Sequence, residues 1–436
     1  MRIHRKLFSI HTLIITLLFS SLCYSQPGHE PFVYGDTLPD GPELAERGEF
    51  KVGVRTVDLV HKDQIDILNY EKDSESLYDR PLKIEVWYPA ELDKSVEPHI
   101  QYEEVMGNAN SDDRPLIPFT FSGRAVRDAE PHRNEDSYPL VIVSHGYTGS
   151  RYLMTYLTEN LASKGYVVVA IDHTESTFKD AAGFSSTLLN RSLDVLFVLN
   201  EITRLDQQDT SFLHGLVDTD RTALIGYSMG GYGVINVAGA GYSPEASQFF
   251  SSISNGSTAL QKRTVGNLEY EASIDPRIKA VVAFAPWGMT RGVWNAEGLE
   301  GLKIPSMFVA GSKDDISGFE NGVKAIFDGA VNSDRYLLTY QNARHNVAPN
   351  PPPAESMNPD LHIDEYLRYA DSVWDMRRIN NINQHFVTAF LDLYVKDNDR
   401  YTSYLNVHEI EEGQEWPGFK PRTTVGLELE QYQPTE

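Results

Sequence analysis

The sequence predicts an α/β fold in which a mostly parallel sheet of eight strands is flanked by helices. Three observations lead to this prediction. Short apolar runs of β-type composition alternate with helical stretches along the chain. The later runs are nearly continuous in hydrophobic residues, as is typical of parallel strands buried on both faces. The segments between them are long enough for the crossover helices that parallel neighbours require.

The elements follow from these runs in chain order. The strands are predicted at residues 51–60, 82–88, 140–144, 167–171, 222–225, 279–285, 305–310 and 335–340. The clearest helices are predicted at residues 152–164, 187–205, 229–240 and 379–395. Three long segments do not fit a minimal sheet-and-helix plan, namely 89–138, 241–275 and 346–375. Connections of this length are usually functional loops or small caps, so we expect long insertions near the functional site.

The 436 residues include 41% hydrophobic residues, which can support a sizeable core. The chain carries 62 acidic and 38 basic side chains, for a formal charge of −24. This charge repels phosphate backbones, and nucleic acid is therefore an improbable partner. After the N-terminal segment, no run of residues reaches the length of a membrane span. The sequence does not indicate the oligomeric state.

The N-terminal segment is typical of a signal peptide. Three basic residues among the first six precede an apolar run at 7–22, and small residues allow cleavage after Ser25. The expected location is therefore secreted or periplasmic. The alternative is a lipoprotein anchored at Cys23, although Leu22 is bulkier than such sites usually accept. Cleavage after Ser25 removes the only cysteine, so the remaining chain can form no disulfide.

The organisation that follows has four parts. Residues 1–25 are the signal peptide and residues 26–49 an N-terminal arm. Residues 50–397 form the main domain, and residues 398–436 are a C-terminal extension that either packs as an arm or stays mobile.

A candidate nucleophile lies at Ser228, within the G-x-S-x-G pattern of residues 226–231. The pattern directly follows the fifth predicted strand and opens a predicted helix. In such a strand-to-helix turn the glycines allow neighbouring backbone to approach closely, and the serine hydroxyl projects from the carboxyl edge of the sheet. A glycine-rich turn without chemical function is the alternative.

A serine becomes a good nucleophile only when a base takes its proton and a third group orients that base. On this architecture the expected chain order is serine, acid, histidine. Asp314 and Asp315 follow the seventh predicted strand, and His345 follows the eighth. We therefore predict His345 as the base and favour Asp314 as the acid, with Asp315 as the alternative.

Two backbone N–H groups should stabilise the oxyanion that forms during acyl transfer. One belongs to Met229, the residue after the nucleophile, and the other to Tyr147 in the turn after the third predicted strand. Gly146 permits a tight turn there. The adjacent His145 is either a second proton carrier or, as is more common in this setting, a support for the loop.

The chain resembles the secreted dienelactone-hydrolase-like and platelet-activating-factor-acetylhydrolase-like branch of the α/β-hydrolase superfamily. The resemblance is carried by residues 226–231, 144–149, 165–173 and 275–281, and by the paired openings 52–56 and 84–89. It implies an eight-stranded α/β-hydrolase fold and ester hydrolysis through Ser228, Asp314 and His345. True dienelactone hydrolases use a cysteine nucleophile, so the serine makes dienelactone a doubtful substrate.

Trp287 closes the sixth predicted strand in the sequence Ala-Pro-Trp-Gly. A similar Pro-Trp pair occurs in secreted polyester-degrading relatives, where the indole lines the acyl pocket. Trp287 is therefore a candidate substrate-binding residue, with a structural role as the alternative. His173 and His385 are expected to make structural hydrogen bonds and not to bind a metal.

The sequence thus predicts a secreted serine esterase that needs no cofactor or metal and acts on a small-molecule or polymeric ester. The alternatives are a non-catalytic binding protein on the same fold, or a peptidase or lyase that uses the same three residues.

Overall fold

A ten-stranded sheet forms the framework of the protein. The computed structural model describes residues 32–72, 76–93, 95–133, 136–407 and 414–435. The signal peptide predicted at 1–25, and with it the lipidation alternative at Cys23, lies outside the described residues. Within the described ranges, no helix has the length and apolar character needed to cross a membrane.

Twelve strands occur in the described residues. They are β1 (Lys51–Ile65), β2 (Leu77–Ala90), β3 (Ile100–Met106), β4 (Ile117–Gly123), β5 (Ala125–Arg127), β6 (Tyr138–Ser144), β7 (Val167–Asp172), β8 (Val217–Tyr227), β9 (Ile278–Phe284), β10 (Ser306–Gly311), β11 (Arg335–Tyr340) and β12 (Leu427–Tyr432). The order in the main sheet is β12-β11-β10-β9-β8-β6-β7-β2-β1-β5, and β3 and β4 form a separate hairpin.

The predicted mostly parallel sheet is confirmed. All neighbouring strands from β7 through β6, β8, β9 and β10 to β11 are parallel, and each of the eight predicted strands is present. The sheet also contains two edge strands that the sequence analysis did not predict. One is the three-residue β5 and the other is β12, which pairs with β11 in the antiparallel direction. The extension after residue 397 thus includes a strand of the sheet.

Ten α-helices accompany the strands in the described residues. They are α1 (Thr155–Ser163), α2 (Phe184–Asp206), α3 (Met229–Val237), α4 (Pro244–Ile253), α5 (Leu268–Ala272), α6 (Ala296–Glu300), α7 (Ala325–Gly329), α8 (Ile363–Leu367), α9 (Met376–Tyr394) and α10 (Thr402–Leu405). The four helices predicted from the sequence correspond to α1, α2, α3 and α9.

The sheet is covered on both faces. Side chains alternate along a strand, so Val141 and Val143 of β6 pack in one core with residues of α1 and α9. Leu140 and Ile142 pack in the other core with residues of α2 and α3. This double burial explains why the central strands are almost entirely apolar.

Parallel strands end at the same edge of a sheet, and their following loops meet there. The loops after β6, β8, β9, β10 and β11 carry the residues that the sequence analysis selected. The topology therefore brings residues that are far apart in sequence to one edge.

Candidate active site

Ser228 lies in a strained turn between β8 and α3. Its φ of 52° and ψ of −112° are unusual for a residue with a side chain. The Ser228 N–H donates to the Phe284 carbonyl of β9 at 2.9 Å, which holds the turn in place. Close packing below the turn requires glycine, since a Cβ on Gly230 would lie 1.9 Å from the carbonyl oxygen of Ser144. The geometry is that of a nucleophile elbow.

His345 joins Ser228 to Asp314. Its Nε2 lies 3.0 Å from Ser228 Oγ, and its Nδ1 lies 3.0 Å from each carboxylate oxygen of Asp314. An ionised carboxylate only accepts hydrogen bonds, so Nδ1–H donates to Asp314 and Nε2 is left to accept from the serine hydroxyl. All three residues are buried.

The Asp314 carboxylate is itself fixed by the backbone. Its Oδ1 accepts hydrogen bonds from the N–H groups of Ile316 and Ser317, both at 2.9 Å. The neighbouring Asp315 points elsewhere and forms a two-contact ion pair with Arg344. Both partners of that pair are exposed by more than two fifths of their side chains. The structure thus places Asp314, and not Asp315, against His345.

The turn after β6 lies next to Ser228, since a Cβ on Gly146 would be 3.4 Å from Ser228 Cβ. Across the described ranges, neither the Tyr147 N–H nor the Met229 N–H donates to a protein acceptor. The carbonyls of this turn are occupied, because buried Arg191 of α2 donates to His145 O and, at 3.2 Å, to Gly146 O. This leaves the two N–H groups available at the site.

His145 supports the same turn. Its Nδ1 donates to Gly146 O at 2.6 Å, and its Nε2 accepts from the His173 N–H at 3.2 Å. Burial, followed by the charge of Arg191, lowers the pKa of His145 well below its usual value. A neutral ring with both nitrogens occupied is a support for the loop and a poor proton carrier.

A buried polar network lies beneath the turn. His173 Nε2 contacts Ser144 Oγ at 2.8 Å, His173 Nδ1 contacts Asp194 at 2.9 Å, and Arg80 Nε donates to Asp194 at 2.9 Å. Burial and the charge of Arg191 lower the pKa of His173 to about 4, so the ring is neutral. His173 therefore makes structural hydrogen bonds. The described residues contain no group of three or more His, Cys, Asp or Glu side chains that could hold a metal ion.

A cleft of about 280 Å³ opens onto Ser228 and His345. The other residues lining it are Gly146, Tyr147, Thr148, Leu153, Phe178, Tyr227, Asp315, Ile316, Arg344, Asn346, Asp364, Leu367, Arg368 and Ala370. Five of these belong to the segment 346–375, which the sequence analysis expected near the functional site. Asn346 ties this segment to the nucleophile strand, since it accepts from the Tyr227 hydroxyl at 2.8 Å and donates to Ala370 O at 3.2 Å.

Trp287 lies beside the elbow but is not among the residues that line this cleft. Its N–H donates to Ser228 O at 3.1 Å. Its indole packs edge-on against Phe184 at 5.4 Å between ring centres, and Phe184 in turn packs against Tyr147 at 5.7 Å. A role of the indole in substrate binding stays a prediction, and the packing described here is structural.

Several residues of the site were missed by the sequence analysis. They are Arg191, Asp194 and Arg80 beneath the loop, and Asn346 and Arg368 in the cleft wall. Only Arg191 and Asp194 left a signal, because they place two charged residues on the apolar stripe of the helix predicted at 187–205. Contacts across long sequence separations position the others.

A mostly parallel sheet with a serine elbow after its fifth predicted strand, and an acid and a histidine on later loops, defines an α/β-hydrolase. The fold is that of the α/β-hydrolase superfamily. Within it, the model of the PET hydrolase-like family (PETase) matches residues 128–249.

Curated relatives point in the same direction. Cutinase 2 of Thermobifida cellulosilytica is 23% identical over 304 residues, which cover 70% of this chain and 81% of the relative. Cutinase cut1 of Thermobifida fusca is 23% identical over 304 residues, with 70% and 67% covered. Bis(hydroxyethyl) terephthalate hydrolase of Streptomyces coelicolor is 22% identical over 218 residues, with 50% and 53% covered. These similarities support a hydrolase of carboxylic esters.

Proposed function

We propose that the protein hydrolyses carboxylic esters through an acyl-enzyme formed on Ser228. The observation that carries the proposal is the continuous hydrogen-bonded chain from Ser228 through His345 to Asp314, open to a cleft. Ser228 Oγ attacks the ester carbonyl while His345 Nε2 takes its proton. The same proton then passes to the departing alcohol as the C–O bond breaks. Asp314 keeps the ring oriented and stabilises its charged form.

Water completes the cycle. His345 removes a proton from the water as its oxygen attacks the acyl carbon, and returns the proton to Ser228 as the acid leaves. In both halves of the reaction the N–H groups of Tyr147 and Met229 are proposed to hold the oxyanion. Such donors contribute roughly 3 kcal/mol each to lowering the barrier.

The substrate class is proposed from the relatives and the cleft together. Cutinase and terephthalate-ester hydrolase are the names of the relatives, so small esters and polyesters are the first substrates to test. The proposal includes export, with residues 1–25 removed as a signal peptide and 50–397 acting as the catalytic domain. N-terminal sequencing of the mature protein from the culture medium or periplasm tests the cleavage site.

The decisive variant is Ser228→Ala. A nucleophile that acts together with its base contributes on the order of a millionfold to turnover, so hydrolysis of 4-nitrophenyl acetate and butyrate should fall to background. A serine-directed phosphonate should label the wild-type protein at Ser228 and leave the variant unlabelled. Ser252→Ala, on an exposed surface of α4, is the matched control and should keep full activity and labelling.

Retention of a tenth of the wild-type turnover by a folded Ser228→Ala protein would contradict the proposed nucleophile. Peptide substrates assayed in parallel distinguish an esterase from a peptidase. A wild-type protein that cleaves neither class and takes up no phosphonate would instead be a binding protein on this fold.

A further inference from the structure

Arg368 is a cation without an acidic partner in the wall of the cleft, where its guanidinium lies over the Phe178 ring at 5.5 Å from the ring centre. It follows α8 and lines the cleft together with Ser228 and His345. Across the described ranges, no carboxylate oxygen lies within 4.0 Å of its guanidinium. Its Nη1 donates to the Thr148 carbonyl at 3.1 Å, and its buried Nε has no hydrogen-bond partner. Most of its donor capacity is therefore unused.

The other two arginines near this wall differ from Arg368. Arg344 is paired with Asp315, and Arg114 is paired with Asp364 at 3.1 Å and with Glu365 at 2.6 Å. Arg114 thus takes two acids, Asp364 and Glu365, that precede Arg368 by only four and three residues. In a chain with 62 acidic residues, a half-buried arginine without an acidic partner is notable.

A second polar group at the same place also lacks a partner. Thr148 lines the cleft, and its buried Oγ1 makes no hydrogen bond in the described part of the chain. Its carbonyl is the atom that Arg368 contacts, so the hydroxyl and the guanidinium belong to one small region. Buried polar groups are normally hydrogen-bonded, so two unsatisfied donors at one place are unusual. Arg368 Nη2 also makes no hydrogen bond in the described residues, and it is not among the buried atoms, so it is the donor that a ligand in the cleft can reach.

The charge of Arg368 affects other groups that line the cleft. Burial, and then the nearby Arg114, lower the pKa of the guanidinium, but an arginine remains charged at neutral pH. Its charge opposes the effect of burial on the pKa of both Tyr147 and Tyr227, which line the same cleft as Ser228. The positive field therefore extends to the place where the ester reacts.

We propose that Arg368, assisted by Thr148, binds a carboxylate of the substrate, and that the preferred substrates are esters carrying a free carboxylate, such as half-esters of dicarboxylic acids. The inference rests on the proposed ester hydrolysis and specifies its substrate. A guanidinium matches a carboxylate in geometry and charge, and hydrogen bonds between charged groups are about twice as strong as neutral ones. Arg368 is already largely removed from solvent and has no acidic partner within the fold. A substrate carboxylate bound to its guanidinium would supply that partner.

A purely structural role for Arg368 makes a different prediction. Its hydrogen bond to Thr148 O tethers the segment 346–375 to the turn that holds Tyr147. If the tether were its only role, removing the guanidinium would impair the hydrolysis of every ester equally. A carboxylate-binding role affects charged esters selectively.

The test compares matched esters on the full-length mature protein. Mono(4-nitrophenyl) glutarate carries a free carboxylate, and its methyl ester is the neutral counterpart. The wild-type protein should prefer the charged ester in kcat/KM by roughly 10- to 100-fold, the range expected for a charged hydrogen-bonded contact. Arg368→Gln should remove most of this preference, chiefly by raising KM, while the neutral ester changes by less than about threefold.

Two further variants sharpen the comparison. Arg368→Lys keeps the charge but loses the two-pronged geometry, and should recover part of the preference. Arg204→Gln removes a paired arginine on the exposed face of α2, outside the cleft, and should leave the ratio of the two esters nearly unchanged. A third substrate, 4-carboxyphenyl acetate, carries the carboxylate on the alcohol side and reports which part of the ester Arg368 contacts.

The outcomes separate this inference from the proposed function. If the wild-type protein cleaves neither ester, ester hydrolysis itself is wrong. If it cleaves the neutral ester well but shows no preference for either charged ester, or if Arg368→Gln slows charged and neutral esters equally, carboxylate recognition is overturned.

Should Arg368→Gln not fold, inhibition of the wild-type protein decides the question. Monomethyl glutarate should then inhibit at least tenfold more strongly than dimethyl glutarate, and equal inhibition would reject the inference.

Discussion

His345 forms hydrogen bonds with both ring nitrogens, so its tautomer depends on Asp314, the residue that Nδ1 contacts. The ring must present its unprotonated Nε2 to Ser228, and the hydrogen bond from Nδ1–H to Asp314 selects that tautomer. Asp314 can perform this role because two backbone N–H groups hold its carboxylate. The orientation of the His345 ring therefore depends on Asp314.

Replacing that acid tests the dependence. Asp314→Asn keeps the shape but removes the charge and allows the wrong tautomer, so turnover on 4-nitrophenyl butyrate should fall by about ten-thousandfold. Asp315→Asn removes an exposed ion pair with Arg344, a contact typically worth less than about 1 kcal/mol, and should change turnover by less than about threefold. Steady-state kinetics on both folded variants measures the ranking, and the opposite ranking would assign the acid to Asp315.

Sequence reasoning selected Ser228, Asp314 and His345 because each follows an apolar strand in a fixed chain order. The motif also distinguished the serine from the many other serines of the chain. It did not identify Arg368 or Asn346, since their importance comes from contacts with residues such as Thr148 and Tyr227 that lie far away in sequence. Which side chains contact each other, and which arginine has no acidic partner, can be determined only from the three-dimensional structure.

Among the elements, α3 begins directly after Ser228, so its packing against the sheet fixes the position of the proposed nucleophile. The helix packs so closely against β6 that Gly230 nearly touches the Ser144 carbonyl. Two backbone hydrogen bonds hold Ser228 in its strained conformation. Its N–H donates to Phe284 O, and its carbonyl accepts from the backbone N–H of Trp287. Strain of this kind persists only where the surroundings fix it.

A single methyl group should disturb this packing. Gly230→Ala forces α3 away from β6, which should destabilise the fold by about 1–3 kcal/mol and lower esterase turnover at least roughly a hundredfold. Gly183→Ala, at the start of α2, is the control because the new methyl group meets only the flexible end of Leu68. Urea denaturation and kinetics on both proteins provide the comparison. Wild-type turnover in Gly230→Ala would show that the elbow does not require this contact.

The strands of the main sheet that the sequence did not reveal lie at its two edges. Central strands such as β6 are continuously apolar and easy to identify, since both faces are covered. In β12 buried Leu427 and Leu429 alternate with acidic residues, a half-buried pattern that differs from the continuous apolar runs on which the strand predictions rested. The strand β5 has three residues, too few for any periodicity.

For the molecule as a whole, acid is the expected threat to stability. His145, His173 and His385 are buried, and burial is the first cause that lowers the pKa of each ring. The pKa is about 4 for His173 and about 3 for His385. On unfolding, each imidazole regains an ordinary pKa near 6.5, so below that pH the unfolded chain binds more protons than the folded one. These three rings therefore lower the free energy of unfolding as the pH drops from about 6.5 towards 4.

The size of this effect can be measured. Three neutral imidazoles give a slope of up to about 4 kcal/mol per pH unit near pH 5, because each contributes about 1.4 kcal/mol. Replacing the ring in His385→Gln should reduce the slope by about one third. His99→Gln, at an exposed position, should not change it. Urea titrations between pH 5 and 7.5 yield the slopes, and identical slopes for wild-type and His385→Gln would contradict the assignment of His385.

The position of β12 has a practical consequence for handling the protein. All six residues of β11 pair with β12, and β11 immediately precedes the loop that carries His345. While a nascent chain lacks residues 427–432, the outer side of β11 offers free N–H and C=O groups to any extended polypeptide nearby. A bulky fusion placed close behind Tyr432 can displace β12 and expose the same groups of β11 in the folded protein. Other extended chains could then pair with β11 and aggregate. Affinity tags on this side therefore call for a long, flexible spacer.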